Sequence, residues 1–567
     1  MYAHVALNAY LPDNSDATLT YAVPPTLGRL APGALVWVPL GARRVQGIVL
    51  ELTDQRPPGF TVRDIIDRGD PEAVAAPHQL ALARWFSRTH AVRLWDAIEL
   101  TLPPGVQQEI ERTWRPTKSG QEVDLGSLDE RERAVLFHLR RTGEQTETQL
   151  RIDLRGSDTD LRRAYASLHE HGFVSLGSNV TRPHVAPKRE WSVRPTVADP
   201  AAALEGLKNA PRLAAVLQAI IEQASDGEAV LLPELRDVGA TTTHLRSLAL
   251  RELVELTQVE VRRNPLLGRI PPLEHPPELT LEQERGWRVI TEAQDKAARS
   301  GSARPILLHG VTGSGKTELY LRAIGRAMRG GGQALVLVPE IALTTQLVRR
   351  FAARFPSQLA VLHSELGLGE RYDEWRRLRR GDAQVVVGSR SAIWSPLANL
   401  KLIIVDEEHE GSFKHEATPF YHARDLAVKL GELAGAVTVL GSATPALETA
   451  YAVRIGRMDL IELNERVGKR SVGGITRADP IPLPPVRVVD MRGELKAGVR
   501  SMFSRPLQSA IHRTLEAGEQ TILFLNRRGM AAFVMCRDCG STIHCPRCAI
   551  ALAVHGTEGQ PEAPATL

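Results

Sequence analysis

Cysteine is scarce in this chain: four among 567 residues, all between Cys536 and Cys548. A disulfide framework is excluded for everything before them, and four clustered thiols in a reducing compartment argue for metal over disulfides. Long apolar runs are missing too. No stretch reaches about 18 apolar residues, and no basic flank followed by an apolar run opens the chain, so neither a membrane span nor a signal peptide is expected and the cytoplasm is. Charge of one sign is not in excess either. The formal net charge is +4 with a pI near 8.9, which permits a nucleic-acid partner without requiring one. The arginine clusters (Arg43-Arg44, Arg140-Arg141, Arg162-Arg163, Arg376-Arg377 with Arg379-Arg380) are each more often a solvated face than a phosphate clamp.

What is present is enough apolar content, 43 %, for several cores. One core rarely grows beyond about 250–300 residues, so several domains are expected.

The most informative stretch is Pro305-Ile306-Leu307-Leu308-His309-Gly310-Val311-Thr312-Gly313-Ser314-Gly315-Lys316-Thr317-Glu318. An apolar run meets a glycine-rich loop that opens an amphipathic segment, so it reads strand, loop, helix, with the spacing G-x-x-x-x-G-K-[ST] of a phosphate-binding loop. Gly310, Gly313 and Gly315 allow a tight turn whose N–H groups converge on an anion, and the helix dipole adds to their pull. Val311, Thr312 and Ser314 complete the cradle. Lys316 is then placed for the β- and γ-phosphates and Thr317 for Mg²⁺. Further on, Lys401-Leu402-Ile403-Ile404-Val405 reads as a buried strand that delivers Asp406-Glu407-Glu408-His409 at its C-terminal end, where ligands of open parallel sheets sit. Asp406 suits the Mg²⁺ shell and Glu407 a general base for the attacking water. Together the two elements point to NTP hydrolysis, with Lys316, Asp406 and Glu407 as the catalytic set.

Taken in order, residues 1–106 alternate short β-like runs with turns, carry a basic hairpin tip at Gly41-Ala42-Arg43-Arg44, and include a helix over His78–Trp95. Two helix-rich units of similar pattern follow, 125–200 and 201–278. Each ends in an apolar strand, the winged-helix order, which serves either to present a helix to DNA or as a protein–protein spacer. The proline-rich stretches Arg182–Pro200 and Asn264–Pro277 read as semi-rigid linkers. From Leu279 strands and helices alternate as in a doubly wound parallel sheet, with candidate strands at 335–338, 360–362, 385–388, 402–405 and 437–440. The cysteines Cys536, Cys539, Cys545 and Cys548 follow C-x2-C-x5-C-x2-C. They fit either one four-thiolate Zn²⁺ site or two incomplete halves. The tail at 556–567 has no fold signal.

The ordered motifs Thr280-Leu281-Glu282-Gln283, Gly310–Thr317, Pro339-Glu340-Ile341-Ala342-Leu343-Thr344, Gly388-Ser389-Arg390-Ser391-Ala392, Asp406–His409 and Gly441-Ser442-Ala443-Thr444-Pro445 resemble those of superfamily 2 helicases. With Tyr421-His422-Ala423-Arg424-Asp425, Phe524-Leu525-Asn526-Arg527-Arg528-Gly529 and the cysteine pairs, the chain from about residue 3 to His555 is similar to the PriA family of replication-restart helicases.

The resemblance implies an α/β, multidomain protein. A RecA-like lobe at 279–460 would follow a β-rich 3′-end DNA-binding domain and winged-helix-like units, and would precede the start of a second lobe at 485–535 and a Cys-rich segment at 536–555. It also implies an ATP-driven 3′-to-5′ DNA translocase that binds forked or single-stranded DNA, acts with other primosome proteins and single-stranded DNA-binding protein, and uses ATP, Mg²⁺ and Zn²⁺. In that family Gln283 would read adenine, Ser442-Ala443-Thr444 would couple hydrolysis to movement, and the loop bearing Phe413, His415, Phe420 and Tyr421 would sense DNA. Tyr21 and Gly41 match the family's pocket for a nascent 3′ end, with Thr20 where an acidic residue is usual, and Phe420 stands where arginine is usual. The four further cysteines and the arginine of the second lobe have no counterpart in this sequence, so a truncated family member is expected, active in ATP binding but not in coupled unwinding. A monomer without membrane attachment is expected. The competing reading is a non-catalytic DNA-binding scaffold for primosome assembly.

Overall fold

In the computed structural model the described residues are 1–524 and 546–547, less 10–17, 42, 60, 104, 106–109, 155–157, 181–184, 186, 225–227, 264–275, 341–344, 473–474 and 500. Cys536, Cys539, Cys545 and Cys548, the motif after Phe524 and residues 341–344 therefore lie outside the described residues, as does the tail. Two compact units divide the chain, Met1–Ile481 and Pro482–Leu567. In the second, the described part holds helices Met491–Lys496 and Arg505–Glu516, with Arg505 Nε paired to Glu494 at 3.1 Å.

The first unit begins with a five-stranded antiparallel sheet whose central strand is Arg43–Thr53. Its alternation puts Ile48 and Leu50 on one face and Val49 on the other, so both faces are covered. The helix expected over His78–Trp95 is two, Pro77–His90 and Leu94–Glu99, because Ala91 turns into the left-handed region at φ 52°. No glycine announces that break.

The two helix-rich units repeat one topology. In each, three strands form a sheet whose central strand comes first in the chain: Ile110–Pro116 between Gln145–Thr146 and Val174–Val180, then Arg189–Pro195 between Val230–Leu231 and Val254–Glu260. The strand Arg189–Pro195 corrects the reading of 182–200 as linker. Trp191 and Val193 alternate toward the core of the second helix-rich unit, where Val193 is fully buried, and the flanking charged residues Arg189, Glu190 and Arg194 conceal the pattern.

From Leu281 a seven-stranded, wholly parallel sheet is built in the order Leu359–Leu362, Val385–Gly388, Gln333–Leu337, Leu400–Asp406, Val437–Ser442, Ile306–Gly310, Asp459–Leu463. The five strands expected from apolar runs are all present. Helices cover both faces, which is why these strands are apolar throughout.

Contact between this sheet layer and the N-terminal domain is extensive. Phe86 and Trp95 share one continuous core with Trp394, Tyr421 and Leu426 of the parallel-sheet layer. The buried Gln79 donates from Nε2 to the carbonyls of Trp394 and Ser395, at 2.9 and 3.0 Å. Helix Leu368–Arg380 spends its arginines on joining parts: Arg379 on the carbonyl of Ala73, Arg376 on Glu260, Arg377 on the carbonyls of Ser357 and Leu359. This cluster is structural and not a solvated face.

Candidate nucleotide-binding site

Strand Ile306–Gly310 ends where the chain must double back. At Gly313 and Gly315 φ is 84°, a conformation that side chains rarely adopt. Gly315 carries a second requirement, since a Cβ there would stand 2.3 Å from the Nε2 of Gln283. Gln283 is itself buried, at 3 % exposed. It donates from Nε2 to the carbonyl of Ser314 at 2.9 Å and accepts at Oε1 from the N–H of Thr280 at 3.0 Å. The carboxamide thus clamps the loop, and reading a base would have to use its remaining N–H and lone pair. On the other side the N–H of Val311 bonds to Leu463 and that of Val467 to Gly313, at 3.0 and 2.8 Å. Lys316 opens helix Lys316–Arg329 with its side chain buried and its Nζ donating to the carbonyl of Gly310 at 2.8 Å. Beside it the Ser314 hydroxyl is buried with no hydrogen-bond partner among the described residues. A loop held from both sides, with an ammonium and an orphaned hydroxyl inside it, has the donor set that an anion satisfies.

One turn along the same helix, Tyr320 reaches across to the acidic motif. Positions i and i+4 share a face, so the helix that carries Lys316 also delivers a phenol, which donates to Asp406 Oδ1 at 2.9 Å. That bond joins the two sequence motifs physically. It also explains Gly441, paired with Asp406 in the sheet: a Cβ there would lie 1.6 Å from the Tyr320 oxygen. Burial first, and then the charge of Glu407, push the Asp406 carboxyl above its ordinary value, while the Tyr320 hydrogen bond and Lys316 pull it back. Glu407 turns at φ 48°, left-handed for a residue with a side chain. Such strain costs of order 1–3 kcal/mol and gathers at functional sites.

The remaining two residues of the motif serve position. His409 Nδ1 lies 2.8 Å from Ser442 Oγ and its Nε2 lies 3.4 Å from Thr444 Oγ1, so the imidazole ties the acidic motif to Ser442-Ala443-Thr444. Glu408 is fully buried. Its oxygens accept from the Ala446 N–H, the Thr449 hydroxyl and Arg424 Nη1, at 2.8, 2.8 and 3.3 Å. Arg424 was legible only as part of a motif, and its partner could not be read from spacing.

The four ring residues after the acidic motif separate sharply. Phe413 and Tyr421 are buried, at 1 % and 5 %, so neither offers an open ring face to a base. Tyr421 meets Phe86 edge-on, with centroids 6.1 Å apart, and stacks on His415 at 4.8 Å. Phe420 alone stands out, at 58 % exposed. In the N-terminal domain Tyr21 is likewise buried and donates to the carbonyl of Pro39 at 3.0 Å, and burial lifts its phenol to about 12. Thr20 Oγ1 pairs with His4 Nδ1 at 2.9 Å. Arg63, which sequence reasoning passed over, donates to the carbonyl of Gly41 at 2.8 Å and brings a guanidinium to that corner. It lies in a stretch without periodicity, and nothing local marked it. Among the described residues no cluster of three or more His, Cys, Asp or Glu is arranged to hold a metal.

The parallel sheet, its loop and its acidic strand end define a helicase-type nucleotide-binding lobe. In agreement, residues 291–453 match the family model of the DEAD/DEAH box helicase, and residues 4–103 match that of the 3'DNA-binding domain (3'BD). The Replication restart protein PriA of Bacillus subtilis is 35 % identical over 552 residues, 96 % of this chain and 64 % of the relative, and that of Synechocystis 37 % identical over 573 residues, 97 % and 64 %. A solved structure of RecG bound to a three-way DNA junction is 26 % identical, covering 34 % of this chain and 24 % of that one, with a TM-score of 0.26. Over nearly its whole length the chain is similar to the PriA replication restart proteins, and it spans less than two thirds of the length of these relatives.

Proposed function

We propose that this chain binds Mg·ATP between the Gly310–Thr317 loop and Asp406-Glu407 and hydrolyses it when bound to forked or single-stranded DNA, as the first lobe of a 3′-to-5′ translocase and without coupled unwinding. The observation that carries the reading is the hydrogen bond from Tyr320 to Asp406, which shares one helix with Lys316 and so brings the anion cradle and the carboxylates to one place. Lys316 takes the β- and γ-phosphates, leaving the Gly310 carbonyl for them. Gly310, Val311, Thr312, Gly313, Ser314 and Gly315 supply backbone N–H groups, and the buried Ser314 hydroxyl gains a partner. Gln283 holds the loop and turns its free N–H toward the base. Thr317 and Asp406 would hold Mg²⁺, which would supply neutralisation of the developing charge. Glu407 takes the proton of the attacking water.

The matched 3′-end domain motivates placing DNA on the N-terminal face, with winged units alongside. By the same resemblance the partners are primosome proteins and single-stranded DNA-binding protein and the setting is the cytoplasm; Cys536, Cys539, Cys545 and Cys548 would offer Zn²⁺ either one four-thiolate site or two half-sites. The domain limits 1–106, 279–460 and 485–535 belong to the same proposal.

A DNA-stimulated ATPase assay tests it. Wild type is stimulated by forked DNA, whereas Lys316→Ala loses nucleotide binding and turnover and keeps its fork affinity. Equal loss of both, or absence of stimulation in wild type with DNA binding intact, would overturn it in favour of a scaffold.

A further inference from the structure

Several half-buried arginines of this unit are engaged by a carboxylate: Arg354 with Glu318, Arg377 with Glu374, Arg424 with Glu408. Arg466 differs. It is partly buried, yet among the described residues its guanidinium has neither a hydrogen bond nor an ion pair. Its place is specific. It follows the last strand of the parallel sheet, Asp459–Leu463, and begins the strand Arg466–Val472. The next residue, Val467, bonds through its N–H to the carbonyl of Gly313, which pins the segment to the glycine loop. The Arg466 side chain then lies against the turn itself: a Cβ on Gly313 would be 3.4 Å from its Nε and 4.0 Å from its Nη2. The approach to this segment is fixed as well, because Glu282 accepts the N–H groups of Asn464 and Glu465 at 2.9 and 3.2 Å.

An uncompensated cation pressed onto a turn whose N–H groups already favour an anion is stable only at the cost of repulsion between like partial charges, and an anion relieves it. A guanidinium also has the flat fork of donors that grips phosphate oxygens. We infer that Arg466 is a second phosphate-binding cation of the nucleotide site, contributed by the segment that leaves the sheet and acting alongside Lys316. The inference rests on the reading of Gly310–Thr317 as a nucleotide loop. Because Arg466 heads the hairpin formed by Arg466–Val472 and Ile475–Ile481, a phosphate at the loop is then felt by that hairpin.

Titration of the full chain with a fluorescent ATP analogue in Mg²⁺, with unlabelled ADP and adenosine as competitors, tests this. Arg466→Ala is expected to weaken ATP and ADP about tenfold or more, to leave adenosine competition unchanged, and to regain part of the loss as Arg466→Lys. Lys316→Ala abolishes ATP binding in the same assay. If Arg466→Ala binds ATP within about twofold of wild type while Lys316→Ala does not bind, the inference falls and the loop reading stands. If adenosine weakens as much as ATP, the contact is to the base and the inference also falls. Unchanged binding in Lys316→Ala would instead remove the loop reading, and this inference with it.

Discussion

Removing a single oxygen from Tyr320 isolates the link on which the site depends. Tyr320→Phe keeps the ring in its fully buried slot, so packing changes little, and deletes only the hydrogen bond to Asp406 Oδ1. Hydrogen bonds to a charged group contribute about 1.5–3 kcal/mol, and about 1.4 kcal/mol is a tenfold change in an equilibrium, so the protonation equilibrium of Asp406 should move at least tenfold. The direction follows from the environment. Burial and Glu407 already raise the Asp406 carboxyl, and the phenol is one of the contacts that hold it down. Without it Asp406 takes up its proton at higher pH, and a protonated carboxyl is a poor Mg²⁺ ligand. ATP turnover measured across the acid to neutral range should therefore show its acid limb displaced toward neutral pH in Tyr320→Phe, with the plateau at higher pH approached by both proteins. An acid limb that stays where it was would refute the coupling of Tyr320 to Asp406. So would a uniform loss of activity at every pH, which would make Tyr320 a packing residue only.

Other consequences are open to direct measurement. Glu408→Ala leaves Arg424 without its buried carboxylate and should cost roughly 3–5 kcal/mol, read as a lower denaturation midpoint; an unchanged midpoint would mean that Glu408 is not the anchor described above. Phe86→Ala opens a cavity in the shared core and should cost about 3–5 kcal/mol; thermal melting checks it, and a cost near zero would argue against a continuous core. His78 is held to about 4 by burial, against 6.5 ordinarily. The unfolded state therefore binds the proton first as pH falls below 6.5, and stability is lost progressively down to about 4 at roughly 1.4 kcal/mol per unit. His78→Gln should unfold at lower pH than wild type in an acid titration followed by circular dichroism; coincident curves would exclude His78 as a contributor.

How much of this was legible depended on whether the signal was local. The glycine loop and the parallel strands are written in short contiguous runs, and a periodicity of one buried residue after another identifies them directly. Arg189–Pro195 was missed because it is half charged and sits between prolines, so its Trp191–Val193 alternation was too short to outweigh the breakers. The pairings that give the site its geometry join residues far apart in the chain: Tyr320 to Asp406, Glu408 to Thr449, Gln79 to Trp394. No propensity or spacing rule reaches so far. For the same reason the burial of Tyr421 could not be read from its neighbours in the chain, since the surface that covers it comes from Phe86.

That shared hydrophobic seam has a practical outcome for anyone dissecting the protein. Expressed from Leu279 onward, the parallel-sheet layer would carry into water the apolar side that the amino-terminal helix normally shields, and should be prone to self-association. The isolated amino-terminal piece would bear the complementary wound. The first hundred residues and the parallel-sheet layer are better regarded as one folding partnership, and truncation experiments meant to separate them would perturb both.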